Sequence, residues 1–229
     1  MMNNGGKVGA VIAAAGESER MGGVNKLFAP LAGKPILARV LDVFERCNAI
    51  SQVVLVTSEP NINRCQQLVD AQQCYKVTDI CIGGERRQDS VRAGVKRLKG
   101  CGWVVVHDGA RPLVTEDIIT SGLAEAAITG SAVAAVPVNE TVKIAGDDLF
   151  VRETLMRNNL WVVQTPQVFR FDIIDTALKQ VKTDVTDDAS LVEKLGYKVK
   201  IFAGDYDNMK ITTPDDLVLA EVLWKKHGR

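Results

Sequence analysis

A chain of 229 residues, 46% apolar and 24% charged, has the composition of a soluble globular protein and length enough for one large α/β domain. Its 28 lysines and arginines balance its 28 aspartates and glutamates, which excludes a global field that would recruit nucleic acid or an anionic membrane. No apolar run approaches the roughly 20 residues of a membrane span, and residues 1–7 lack the apolar centre of a secretory signal, so the cytoplasm is the expected location.

The first predicted element is a buried strand over 8–14, an apolar run rich in small and β-branched residues. It leads into Ala14, Ala15 and Gly16, where small side chains let backbone approach a ligand closely. Arg20 and Lys26 follow, two cations suited to a polyphosphate or, equally, to solvent. Pro35 opens a helix over 35–47. Strands at 52–57 and 76–82 bracket a helix at 61–72, and a helix at 87–98 precedes a strand at 103–107. Thr115, with Glu116 and Asp117 behind it, caps a helix over 115–128. A strand at 132–136, later strands at 161–164 and 198–202, and helices at 170–181, 187–195 and 214–225 complete the series.

Strands alternating with helices of this length predict a mainly parallel, Rossmann-like α/β sheet with helices on both faces, and one domain over 1–229. Such sheets bind ligands at the carboxyl ends of their strands. One region departs from the alternation. Residues 138–160 hold two short strand patterns around a Gly-Asp turn and read as a hairpin. A hairpin needs something to pack on, either its own domain or, as expected here, a second copy of the chain.

Chemistry-bearing residues cluster after the predicted strands. Gly83, Gly84 and Glu85 turn into a helix that carries Ser90, which suits close contact with a flat ligand or merely caps the helix. His107-Asp108-Gly109-Ala110-Arg111-Pro112 follows the next strand. Asp108 there suits a ribose hydroxyl, a metal carried on phosphates, or a structural pair with Arg111. Three further groups are Gln164-Thr165-Pro166-Gln167 beside Arg157, Thr186-Asp187-Asp188-Ala189-Ser190, and Asp207-Asn208-Met209-Lys210-Ile211-Thr212. The five cysteines are odd in number with no C-x-x-C pair, and the two histidines stand far apart, so neither a disulfide framework nor a protein-held metal site is expected.

In order and spacing, these segments resemble the 2-C-methyl-D-erythritol 4-phosphate cytidylyltransferase family: A-A-G-x-x-x-R-M, K, G-G-x-x-R-x-D-S-V, H-D-x-A-R-P, T-P-Q, T-D-D-A-S and D-N-x-K-I-T. The resemblance spans nearly the whole chain and implies a nucleotidyltransferase fold, similar to glycosyltransferase A folds, with a projecting β-arm. It implies that Ala14, Ala15, Gly16, Gly83, Gly84, Glu85 and Ser90 hold the nucleotide, with Asp108 at the ribose or metal region. Arg20 and Lys26 would stabilise the transition state at the α-phosphate. Arg157 and Lys210 would position the sugar-alcohol phosphate, with Arg111, Thr141, Thr165 and Thr212 completing its pocket. The implied partners are CTP, Mg²⁺ held mainly by the CTP phosphates, and a second subunit that receives Thr141 and Arg157 through the 138–160 arm. Glu19 and Leu27 depart from residues frequent in the family, but neither removes a matched catalytic residue.

A ribitol 5-phosphate cytidylyltransferase is the near alternative, because it would share the nucleotide half. An NAD-dependent dehydrogenase is disfavoured, since the first turn lacks G-x-G-x-x-G.

Overall fold

A computed structural model describes residues 6–16 and 25–228. Arg20 and Glu19 lie outside the described residues. In chain order the elements are β1 (Lys7–Ala14), β2 (Pro30–Leu31), β3 (Lys34–Pro35), α1 (Ile36–Arg46), β4 (Gln52–Thr57), α2 (Ile62–Ala71), β5 (Val77–Ile82), α3 (Arg87–Val95), β6 (Cys101–Asp108) and α4 (Glu116–Thr129). Then come β7 (Ser131–Pro137), β8 (Lys143–Ala145), β9 (Val151–Thr154), β10 (Trp161–Arg170), α5 (Phe171–Gln180), α6 (Asp188–Glu193), β11 (Lys200–Ala203) and α7 (Pro214–Lys226).

Seven strands form one sheet in the order β11-β7-β10-β6-β1-β4-β5. All pairings are parallel except those of β10, which runs antiparallel to both β6 and β7. Side chains alternate between two cores, as the period of a strand requires. Ala10, Ile12, Val53, Leu55 and Val105 face one core with α1, α2 and α4; Val11, Val54, Val56, Val104 and Val106 face the other with α3, α5 and α6. The predicted α/β sheet covered on both faces is therefore the observed one.

Two differences have local causes. β10 continues to Arg170, past the predicted end at 164, although it contains Pro166. The ladder to β7 shifts register between Val163 and Gln167, so Pro166 sits where no backbone donor is demanded. The β2–β3 hairpin was not expected, because strands of two residues carry no readable alternation. Its turn places Gly33 at a φ of 81°, a conformation that glycine adopts without steric cost.

Among the described residues, β8 and β9 pair only with each other. They form the predicted hairpin, and their connection leaves Leu149 and Phe150 largely exposed. Among the described residues, no helix is long and apolar enough to cross a membrane.

Candidate active site

The carboxyl ends of β1, β4, β5 and β6 open on one edge of the sheet, and a cleft of about 740 Å³ lies along it. Ala13 to Gly16 after β1, Ser58 and Glu59 after β4, and Gly83 to Glu85 after β5 form its walls. Lys26 also lines the cleft, at the start of a 3₁₀ turn over Lys26–Phe28 whose Leu27 N–H is accepted by the Asn25 side chain.

The glycine pair is demanded by packing. The Gly83 N–H donates to the Thr57 carbonyl at 2.8 Å. A Cβ on Gly83 would stand 2.5 Å from both the Ala15 Cβ and the Ser90 Oγ. The Gly84 N–H donates to the Ser90 Oγ at 3.1 Å. Ser90 thus closes the turn from the first residues of α3, and its hydroxyl is occupied in shaping the wall.

A second cleft, of about 480 Å³, lies on the β10 side of Asp108. Arg111, Thr165, Gln164, Gln167, Thr186 and Ser190 are among its lining residues. Arg87, Asp108 and Lys210 line both clefts and form the seam between them.

At this seam the buried Asp108 carboxylate meets three cations. Arg87 Nε–H and Nη2–H donate to its Oδ1 at 3.3 and 3.2 Å. Lys210 Nζ lies 2.9 Å from its Oδ2, and Arg111 Nε lies 3.8 Å from the same oxygen. Burial opposes ionisation, yet Arg87, Lys210 and Arg111 together hold the carboxyl well below the usual carboxylate range. Arg87 also reaches Asp188, with Nη1–H donating to Oδ2 at 2.7 Å.

The loop after β11 is pinned so that Lys210 reaches this position. The Ile211 N–H donates to the Ala110 carbonyl at 2.8 Å, and Arg111 Nη1–H donates to the Asn208 carbonyl at 2.8 Å. Asn208 is fully buried, and its Nδ2–H donates to the Thr165 carbonyl at 2.9 Å. Gln164 Nε2–H donates to the Asp205 carbonyl at 2.8 Å. The T-P-Q and D-N-x-K-I-T segments, remote in sequence, are therefore one hydrogen-bonded unit.

The expected site residues divide by position. Ala14, Ala15, Gly16, Lys26, Gly83, Gly84, Glu85, Ser90, Asp108 and Lys210 line the first cleft; Arg111 and Thr165 line the second. Thr212 lines neither. Its N–H and hydroxyl both donate to Asp216 Oδ2, at 2.8 and 2.7 Å, beside the Thr213 cap of α7. Thr141 and Arg157 are exposed and also line neither cleft; Arg157 Nη1–H donates to the Asn139 carbonyl at 3.1 Å.

The sequence alone assigns no role to Arg87, Ser58, Glu59 or Asp188. For Arg87 a signal existed, since it is the arginine of G-G-x-x-R-x-D-S-V. For Ser58 and Glu59 the signal was only their place one and two residues beyond a strand. Among the described residues no group of three His, Cys, Asp or Glu could hold a metal ion.

The profile of the 2-C-methyl-D-erythritol 4-phosphate cytidylyltransferase family matches residues 8–226. A protein of that name from Dehalococcoides mccartyi is 54% identical over 220 residues, spanning 96% of this chain and 97% of the relative. A namesake from Pelotomaculum thermopropionicum is 49% identical, with 97% of each chain covered. The crystal structure of 4-diphosphocytidyl-2C-methyl-D-erythritol synthase from Anaerococcus prevotii is similar with a TM-score of 0.85 at 27% identity, covering 96% of both chains. The Thermus thermophilus cytidylyltransferase structure gives 0.79 at 29% identity, over 94% of this chain and 98% of that one.

Proposed function

This chain belongs to the 2-C-methyl-D-erythritol 4-phosphate cytidylyltransferase family, and we propose how its two clefts divide the work of that enzyme. The reaction joins CTP and 2-C-methyl-D-erythritol 4-phosphate to give 4-diphosphocytidyl-2-C-methyl-D-erythritol and pyrophosphate, a step of non-mevalonate isoprenoid precursor synthesis. The observation that carries the division is the seam of Arg87, Asp108 and Lys210, which borders both clefts.

CTP occupies the larger cleft. Its base lies against Ala14, Ala15, Gly83, Gly84 and Glu85, where the absence of bulk permits backbone contact. Ser90 holds that wall in shape. Gly16 and Lys26 face the triphosphate; Arg20, outside the described residues, takes a triphosphate role only by its place in the family motif. Asp108 faces the ribose. The acceptor phosphate lies in the second cleft, against Lys210, Arg111 and Thr165, with Thr212 anchoring the loop behind Lys210.

A phosphate monoester oxygen of the acceptor attacks the α-phosphorus in line. The bond to the β-phosphate oxygen breaks, pyrophosphate leaves, and a new P–O–P linkage remains. The nucleophile is already anionic, so no general base is needed. The burden on the protein is to align two anions and offset their repulsion, which is a matter of positioning and fixed positive charge. Arg20, Lys26 and Lys210 supply that charge. CTP enters as its Mg²⁺ complex. The first cleft offers cations for phosphate oxygens, and both oxygens of Asp108 are already engaged by Arg87 and Lys210. The donor set therefore suits a metal carried by the phosphates.

The active enzyme is a cytoplasmic homodimer in this proposal. Exposed Phe150, Met156, Trp161 and Val162 on and beside the hairpin supply an apolar surface for a second copy. Docking there would carry Thr141 and Arg157 to the partner's acceptor cleft.

Pyrophosphate release from CTP, with 2-C-methyl-D-erythritol 4-phosphate and ribitol 5-phosphate offered in parallel, tests the acceptor assignment. Turnover with the first alone is expected. Equal turnover with ribitol 5-phosphate would refute the acceptor pocket as assigned.

A further inference from the structure

Asp188 is wholly buried and lines neither cleft. One of its oxygens, Oδ2, accepts from Arg87 at 2.7 Å. The other, Oδ1, is buried without a hydrogen-bond partner. A buried carboxylate with an idle oxygen is a poor way to stabilise a fold, because its desolvation is only partly offset. Departures of this kind concentrate where a site must be held in one arrangement.

The start of α6 beneath Asp188 is tied down by hydrogen bonds. Asp188 is the first residue of α6, capped by Asp187, whose Oδ1 accepts the Ser190 N–H at 3.1 Å. Gln167 on β10 bolts this start from both sides: its Nε2–H donates to Asp187 Oδ2 at 2.9 Å, and its Oε1 accepts the Ala189 N–H at 3.0 Å. The approach to α6 is tied to α3, where Gln88 Oε1 accepts the Val185 N–H at 3.2 Å.

Arg87 spans the two carboxylates. Nη1 serves Asp188, while Nε and Nη2 serve Asp108 Oδ1. Asp108 Oδ2 thereby faces Lys210 at 2.9 Å, with Arg111 Nε farther off at 3.8 Å. Three cations and two carboxylates meet here, and a planar guanidinium fork can serve both acids in one orientation where an ammonium cannot. Removing the charge of Asp188 would leave three cations sharing Asp108 alone. Arg87 would then compete with Lys210 for it, and the seam would lose its fixed arrangement.

We infer that Asp188 is a positioning residue for cytidylyl transfer, acting through Arg87 to hold Asp108 and Lys210 in register where the two clefts meet. The inference rests on the reaction taking place at this seam.

The test uses the full chain, with kcat and both KM values from pyrophosphate release and the folded fraction from circular dichroism. Asp188→Asn keeps the shape of the side chain and removes its charge; Asp108→Asn reports on the seam itself. Both are expected to lower kcat per folded molecule by about tenfold or more, with Asp188→Asn leaving either KM within about threefold of wild type. A purely structural Asp188 would lower the folded fraction and leave kcat per folded molecule unchanged, which would overturn the inference. A slow Asp108→Asn beside an Asp188→Asn within about twofold of wild type would overturn it while leaving the seam in place. Wild-type rates in both would remove the seam and the inference together. Should Asp188→Asn fail to fold, Arg87→Lys decides. It keeps the charge but loses the fork whose three nitrogens donate to the two acids, so a loss of about tenfold in kcat supports the inference and a wild-type kcat overturns it.

Discussion

The Thr165 hydroxyl accepts the backbone N–H of Asp108 at 3.0 Å, so a residue of the antiparallel strand fixes the end of its parallel neighbour. The same hydroxyl lies 3.1 Å from Nδ1 of the buried His107, whose Nε2 lies 3.2 Å from the Arg111 carbonyl. One arrangement satisfies every group: the hydroxyl donates to Nδ1, and Nε2–H donates to Arg111. Thr165→Val keeps the shape and removes the hydroxyl. The Asp108 N–H and one ring nitrogen then stay buried and unpaired, at about 1–3 kcal/mol. A lower urea midpoint with an unchanged slope is expected; an unchanged midpoint would show that the hydroxyl bears no load.

His107 is expected to make stability fall in mild acid. Burial pushes its pKa down from the ordinary 6.5 to about 4. Between those values the unfolded chain binds the proton and the folded chain does not, so stability rises with pH across the window and is lost as pH falls through it. Integrated over the window, the effect is about 3 kcal/mol. Asp108, held low, adds no loss until pH drops below the usual carboxylate range. Thermal unfolding at pH 7, 5.5 and 4.5 should show a falling Tm in wild type and a flatter profile in His107→Asn. Parallel profiles would place the acid sensitivity elsewhere.

Lys26 lines the larger cleft beyond the small-residue turn. Lys26→Ala is expected to lower kcat by about 10²-fold or more, the scale of losing a preorganised charge at a reacting centre. Calorimetric CTP affinity should change only a fewfold. A wild-type kcat would end the proposed role.

Arg157 is exposed and borders neither cleft of its own chain. Arg157→Ala should mainly raise KM for the sugar-alcohol phosphate. Mixing Lys26→Ala and Arg157→Ala subunits gives hybrid dimers with one intact site each if Arg157 serves its neighbour. A random mixture should then recover about a quarter of wild-type activity. No recovery beyond the parent variants would argue for service within one chain.

The amino-acid order by itself determined most of the elements and the sheet edge on which the candidate site lies. Apolar runs of strand length, alternating with helix-period patterns and punctuated by Pro35, Thr115 and Thr213, are local signals. The motifs after β1, β5 and β6 were legible for the same reason, since each follows its strand directly in the chain. Only the tertiary structure decided that β10 enters antiparallel beside β6, and hence that Thr165 meets His107 and Asp108. It alone placed Arg87 between Asp108 and Asp188, the latter 101 residues away in sequence. Periodicity and capping act over a few residues, whereas a buried ion cluster forms wherever sheet order brings distant strand and helix ends together. That order is set by packing the whole core and by pairing every buried polar group, so no single segment carries it.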